Sequence, residues 1–467
     1  MHVKDHRTEH DALGPVQVPA AAYWGAETQR AVENFPVSGL RMPAAFIQAL
    51  ALLKRAAAEV NMDLGKLDPE RGRALSQAAA EIAGGKWIEQ FPVDVFQTGS
   101  GTSSNMNMNE VLANRANELL GKPIGSGHVD AHDHANVGQS SNDTIPSAVH
   151  VAAATALNDR LLPALRDLHA SLQTKAAAFD GVVKTGRTHL QDAAPIRMGQ
   201  EFSGYARQVE LCIERLEVAR DGLLELALGG TAVGTGLNAH PEFAKRVIAH
   251  VARATGLAFR EASNHFEAQG SMDQAVAAAG ALRACAVALF KIANDVRWLG
   301  SGPHNGIGEL RLPSLQPGSS IMPGKVNPVM CESLMMVCAQ AVGNDAAVAL
   351  GGMSGNFELN TFLPLIARNL LEAIDYLAAA SRNFDVRCVR GLEVDMERCR
   401  QSIERNTMLV TALSPRIGHE KAAKIALEAD RTGRTVREVA REWKVLSDAE
   451  LDAALDARKM TDPRAQA

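Results

Sequence analysis

Residues Phe202 to Leu226 read "FSGYARQVELCIERLEVARDGLLEL". Phe202, Tyr205, Val209, Cys212, Leu216, Ala219, Leu223 and Leu226 follow one another at alternating steps of three and four. That spacing puts all of them on one stripe of an α-helix, the a/d seam of a coiled-coil-like bundle. Gly229-Gly230 is the predicted stop. Working outward, "PSAVHVAAATALNDRLLPALRDLHASLQ" (Pro146–Gln173) predicts another long helix, kinked at Pro163. A third runs from Phe266 to Leu299 and is apolar nearly all round between Met272 and Ile292, with Arg283 and Lys291 as exceptions. Such a helix lies deep in a bundle or between subunits. The fold class is all-α, with a long central helical bundle.

Towards the N-terminus, "MPAAFIQALALLKRAAAEVNMDLG" predicts a helix with Pro43 in its first turn and Gly65 just past its end. "DPERGRALSQAAAEIAGG" predicts one capped by Asp68 and closed by Gly84 and Gly85. Near the C-terminus, Thr435 with Glu438 and Ser447 with Glu450 are capping-box patterns opening short helices. Three domains are expected: residues 1–138, 139–364 (the long-helix bundle) and 365–467 (a small helical domain). No strand-rich region is expected.

Composition excludes several classes. Aromatics are 4%, and 48 Lys+Arg face 53 Asp+Glu for a net charge of -5, which does not suit nucleic-acid binding. The six cysteines contain no CxxC pair, and "MHVKDHRTEHDALG" has no apolar signal core, so a reducing cytoplasm is expected. No uninterrupted apolar run of about 18 residues predicts a membrane span.

Polar, glycine-punctuated islands interrupt the helices. They are "TGSGTSSNMN" (98–107), "GQSSNDT" (138–144) with "KTGRTHLQDA" (184–193) downstream, and "GSSIMPGKVNP" (318–328). They carry hydroxyls, amides, Lys325 and His189, the equipment for holding a small carboxylate. There is no GxxxxGK[ST] and no HExxH. "HVDAHDHAN" gathers His128, Asp130, His132, Asp133 and His134, ligand types that suit zinc or nickel, and are equally common on a solvated surface. From the residues alone, the islands reach no further than an anion-binding helical protein.

The blocks "SGTSSNMNMNEVLANRA", "QSSNDTIPSAVH", "KTGRTHLQDAAP", "ALGGTAVGTGLN" and "GSSIMPGKVNP" resemble those of the fumarase/aspartase superfamily, in its order, and over nearly the whole chain they are similar to class II fumarases. The resemblance implies a three-domain fold whose central helices form the core of a homotetramer, each active site drawing on three subunits. It implies reversible hydration of fumarate to L-malate, with no metal or organic cofactor, no nucleic-acid partner and no membrane. It implies Ser319 as the base, and His189, tuned by Glu332, as the group that handles water. Ser100, Gly101, Thr102, Ser140, Ser141, Asn142, Thr188, Ser320, Lys325, Val326 and Asn327 would bind substrate. A second anion site would correspond to Asp130, Ala131, His132 and Asp133. The chain departs from the family's pattern at Val137 and Gly138, at His304 and Asn305, at Gln316, and within Asp130–Asp133. The alternatives are an aspartate ammonia-lyase, which has Gln where this chain has His189, a lyase for a related dicarboxylate, and a catalytically retired paralog serving as a structural or binding protein.

Overall fold

A computed structural model describes residues 6–462. Helices dominate, and the chain divides into two compact units. One comprises residues 1–163, 213–286 and 337–379; the other comprises 164–212, 287–336 and 380–467. The expected segment 1–138 falls wholly in the first unit. Segments 139–364 and 365–467 are shared between both.

The first unit opens with an antiparallel hairpin, His6–Asp11 with Gly14–Pro19. Arg7 steadies it by donating to the carbonyls of Pro19, Ala22 and Trp24. Helix Ala44–Asp63 follows, preceded by Pro43 and ended at Gly65, whose φ is +66°. Helix Pro69–Ala83 is capped by Asp68, which accepts from the amides of Glu70 and Arg71. Helices Thr102–Leu119, Ser141–Ala156 and Phe243–Thr255 complete the set that matters for the site. Their apolar faces, among them Phe46, Leu50, Leu53, Val111, Val149 and Val247, are fully buried.

The second unit contains the hairpin Val183–Thr188 with Gln191–Arg197 and the C-terminal helices. Both predicted capping boxes form, at Thr435/Glu438 and Ser447/Glu450. Leu413, Ile425, Val439 and Leu451 close a core of their own beneath them.

Three sequence expectations are corrected. The seam helix spans Met198–Gly222 rather than reaching Gly229. All eight seam residues are buried, but Leu226 lies in a two-residue strand, Glu225–Leu226, parallel to Arg260–Glu261. Gly222 weakens the helix there, and an apolar pattern of two residues cannot distinguish strand from helix. The helix expected from Phe266 is two: His265–Gly270, capped by Asn264, and Asp273–Leu299. Between them Ser271 is extended. Pro163 does not break its helix. The chain widens into a π-helical turn at Leu157–Leu161, where the Leu162 amide reaches the Leu157 carbonyl, and this accommodates the ring.

Helices Asp273–Leu299 and Val329–Gly352 are long and apolar enough, by length and composition alone, to cross a membrane. A core helix of an assembly meets the same description. Val287 (59% exposed), Met336 (68%) and Leu350 (63%) are apolar side chains on these helices with nothing over them in a single chain.

Candidate active site

The sequence islands fall into two groups, one in each unit. In the first unit, the chain approaches helix Thr102–Leu119 through Gly99 and Gly101. A Cβ at Gly99 would lie 1.7 Å from the Thr361 carbonyl oxygen, so only glycine fits. Ser100 Oγ lies 2.7 Å from Thr102 Oγ1, which in turn lies 2.7 Å from Ser141 Oγ. A continuous hydroxyl chain thus joins two islands separated by 39 residues in sequence. Thr102 also lines a cavity of about 310 Å³ with Arg30, Glu27 and Asp11.

Ser140 caps helix Ser141–Ala156. Its Oγ accepts from the Asn142 amide at 3.2 Å, and its own amide donates to Asp143 Oδ1 at 3.0 Å. Asn142 Nδ2 donates to the Ala232 carbonyl at 2.8 Å. Asp143 is fully buried, and its other oxygen accepts from the amides of Gly229 and Thr231 at 3.0 and 2.9 Å. Burial pushes its pKa up against those hydrogen bonds. Asp143 therefore ties "QSSNDT" to "ALGGTAVGTGLN". The candidate residue set did not include it, although Ser140 with Asp143 three positions on is a legible capping box.

In the second unit, His189 and Leu190 form the two-residue turn of the Val183–Arg197 hairpin, with φ of 57° and 58°. This is a type I′ geometry, which ordinarily selects Asn-Gly. "KTGRTHLQDA" is therefore a β-hairpin, where the sequence analysis placed no strand. Its base is fixed by a buried charge cluster. Lys184 Nζ lies 2.9 Å from Glu201 and 3.2 Å from Glu309, and Arg187 binds Glu309 with two nitrogens at 2.8 and 3.1 Å. Glu309 and Lys184 are buried, while Thr188 and His189 are exposed at the tip.

The loop Gly318–Pro328 closes on itself. The Gly318 amide donates to the Lys325 carbonyl at 2.7 Å, and Asn327 Nδ2 donates to the Gly318 carbonyl at 2.6 Å. Ser319 Oγ accepts from two backbone amides, Ile321 at 3.2 Å and Met322 at 2.9 Å. Ser320, Lys325 and Val326 are exposed. Glu332 stands in the first turn of helix Val329–Gly352. Among the described residues, neither His189 nor Glu332 has a side-chain hydrogen-bond partner, so this chain alone does not join the two.

The segment Asp130–Asp133 is occupied with itself. Asp130 Oδ1 accepts from the amides of His132 and Asp133 at 2.7 and 2.8 Å, and the Asp130 amide donates to His134 Nδ1. His132 Nε2 meets Glu27 at 2.7 Å, and Asp130, Ala131 and His132 line a second cavity of about 760 Å³. Among the described residues, no three His, Cys, Asp or Glu side chains are grouped to hold a metal ion.

The helical scaffold presents hydroxyls, amides and a loop serine fed by backbone amides, groups able to hold a small anion. The lyase family matches residues 14–343, and the fumarase C C-terminus family matches residues 409–462. The chain is 54% identical over 458 residues to the class II fumarate hydratase of Nitrosomonas europaea, covering 98% of this chain and 99% of that protein. It is 55% identical over 458 residues to that of Halobacterium salinarum, covering 98% and 97%. It superposes on the crystal structure of a recombinant class II fumarase from Schistosoma mansoni with a TM-score of 0.95 at 38% identity, covering 98% and 99%. The chain belongs to the class II fumarate hydratase family.

Proposed function

We infer that this protein catalyses the reversible hydration of fumarate to L-malate, and that the two groups of islands carry different parts of the work. In the dehydrating direction, Ser319 takes the proton from the carbon beside one carboxylate. The electron pair left behind is drawn into that carboxylate as an aci-carboxylate dianion. The C–O bond on the neighbouring carbon then breaks, and the departing hydroxyl takes a proton from His189 to leave as water. Lys325, with Asn327, faces the growing charge on the carboxylate; Ser100, Thr102, Ser140, Ser141, Asn142 and Thr188 hold the substrate. Preorganised donors are most effective where charge develops.

The observation that carries this reading is the environment of Ser319. A serine hydroxyl is a poor base unless its alkoxide is stabilised. Here the Ile321 and Met322 amides already point at Oγ, forming a small anion nest before any substrate arrives. His189, held exposed at its turn, suits a group that must reach substrate and exchange a proton.

Because His189 and Glu332 do not meet within one chain, we further propose a homotetramer whose sites are shared between subunits. The uncovered apolar faces of Asp273–Leu299 and Val329–Gly352 support it, and sedimentation of the purified protein measures it. A cytoplasmic location accords with six free cysteines. At Asp130–Asp133, Asp130 Oδ1 already accepts from the His132 and Asp133 amides, so an anion bound through those two amides would have to displace it.

The test is to incubate the purified protein with L-malate and, separately, with L-aspartate, following the ultraviolet absorbance of fumarate. Fumarate from L-malate alone is expected. Fumarate from L-aspartate would replace the reading with an ammonia-lyase, and silence with both would leave a retired enzyme.

A further inference from the structure

Helix Ala44–Asp63 carries none of the residues assigned to substrate, yet it buries a lysine. Lys54 is 2% exposed, and its ammonium makes one side-chain hydrogen bond, to Asn136 Oδ1 at 3.1 Å. Burying a charge is costly unless it is balanced, so the surroundings must explain it. Asn136 Oδ1 also accepts from Asn105 Nδ2 at 3.3 Å and Asn109 Nδ2 at 3.2 Å. The Oδ1 atoms of Asn105 and Asn109 are buried with no partner. The cluster is therefore rich in acceptors, and Lys54 is the charged donor within it. Among the described residues, no carboxylate forms an ion pair with Lys54.

From this cluster the contacts lead to the substrate-binding segment. Asn136 Nδ2 donates to the Gln139 carbonyl at 3.1 Å. The other end of that same peptide, the Ser140 amide, donates to Asp143 Oδ1. The peptide immediately before Ser140–Ser141–Asn142 is thus held at both polar ends, by Asn136 on one side and Asp143 on the other. Two helical turns along from Lys54, Asn61 Nδ2 donates to the Val137 carbonyl at 3.0 Å. One face of one helix therefore supports the segment in which Val137 and Gly138 depart from the family pattern.

We propose that Lys54 is a positioning residue for the fumarate-hydrating site, fixing the Gln139–Ser140 peptide through Asn136, so that Ser141 and Asn142 meet the substrate carboxylate in register. The inference rests on the reading that this segment binds substrate. Lys54 touches no substrate itself.

The experiment compares wild type, Lys54→Met and Asn136→Ala as full-length protein, measuring KM and kcat for L-malate beside the thermal midpoint and the assembly state. Lost charged hydrogen bonds correspond to a KM raised roughly tenfold in either variant, with kcat falling less. A purely structural role would lower the thermal midpoint and the fraction of active enzyme while leaving KM unmoved. KM within twofold of wild type in either variant overturns the proposal. Should Lys54→Met fail to fold, Asn136→Ala alone decides, because the proposed route passes through it. Failure of the wild type to convert L-malate would sink the functional reading instead, so the two failures are distinguishable.

Discussion

The two groups of islands differ in how many hydrogen bonds hold their side chains. In the first unit, Ser100, Thr102, Ser140, Ser141 and Asn142 are each hydrogen-bonded, and the buried carboxylate of Asp143 organises two loops at once. In the second unit, His189 sits in the left-handed region at an exposed tip, and Ser319 and Lys325 lie on an open loop. Groups that only bind a dicarboxylate benefit from being rigid, since ordering them on binding would cost affinity. Groups that move protons need access, and the loop must admit a small dianion and release its product. On the proposed roles, the lesson is a division between a binding half held by hydrogen bonds and an exposed chemical half with left-handed backbone at its turn.

The sharpest way to break this comparison is at Ser319. Ser319→Ala removes the base but only two local amide contacts in an exposed loop. Turnover of L-malate is expected to fall by on the order of a thousandfold or more, as for loss of a key catalytic group, with the thermal midpoint almost unchanged. Near-normal activity would remove Ser319 from the chemistry. Next is His189→Asn. Asparagine tolerates the left-handed region better than histidine, so the hairpin should be at least as stable. Activity should nevertheless fall about 100-fold or more, the usual contribution of a general acid–base group. A variant that is both less stable and active would mean that the turn is not strained and the imidazole not used.

Much of this was legible in sequence. The capping boxes at Thr435 and Ser447, the Asp68 cap and the polar islands all rest on local chemistry, and local chemistry survives folding. What escaped was non-local. Nothing near Lys54 in sequence announces a buried ammonium, because "LALLKRAAAEV" reads as an amphipathic helix with a solvated lysine. Its hydrogen-bond partner, Asn136, lies 82 residues away. The hairpin at Val183–Arg197 was missed because His-Leu lacks the Asn-Gly turn signal. The same absence is what marks the turn as functional, since natural sequences break local rules where chemistry requires it.

A third test exploits the pH dependence of Lys54. Burial pushes its pKa down to about 7, with Asp143 acting in the opposite direction. Its unfolded value is near 10.5, so between pH 7 and 10 the unfolded chain binds more protons at this site than the folded one. The stability contribution of the site then rises with pH. At pH 6 the folded protein carries the full cost of a buried ammonium, and by pH 9 it holds mostly neutral amine. Relative to Lys54→Met, wild type should gain about 2–3 kcal/mol of stability between those pH values, at up to about 1.4 kcal/mol per pH unit. Chemical denaturation of both proteins at each pH measures it. A gap independent of pH would mean that Lys54 keeps an ordinary pKa in the fold.

The smallest effect is the most specific to the strain. Leu190 is 66% exposed, adopts φ of 58°, and is assigned no part in the chemistry. A left-handed conformation costs a branched side chain roughly 1–2 kcal/mol, and glycine is free of that cost. Glycine also gains freedom in the unfolded chain, which offsets about half of the benefit. Leu190→Gly should therefore stabilise the second unit by about 0.5–1 kcal/mol. If strain at the turn serves only to present His189, kcat should fall as stability rises, because a relaxed turn holds the imidazole less firmly. If kcat is unchanged while stability rises, the turn's strain is incidental and the chemical half needs only His189 itself. A loss of stability would show that Leu190 packs on a neighbouring subunit, and would move this residue from the chemical half of the comparison into the proposed tetramer interface.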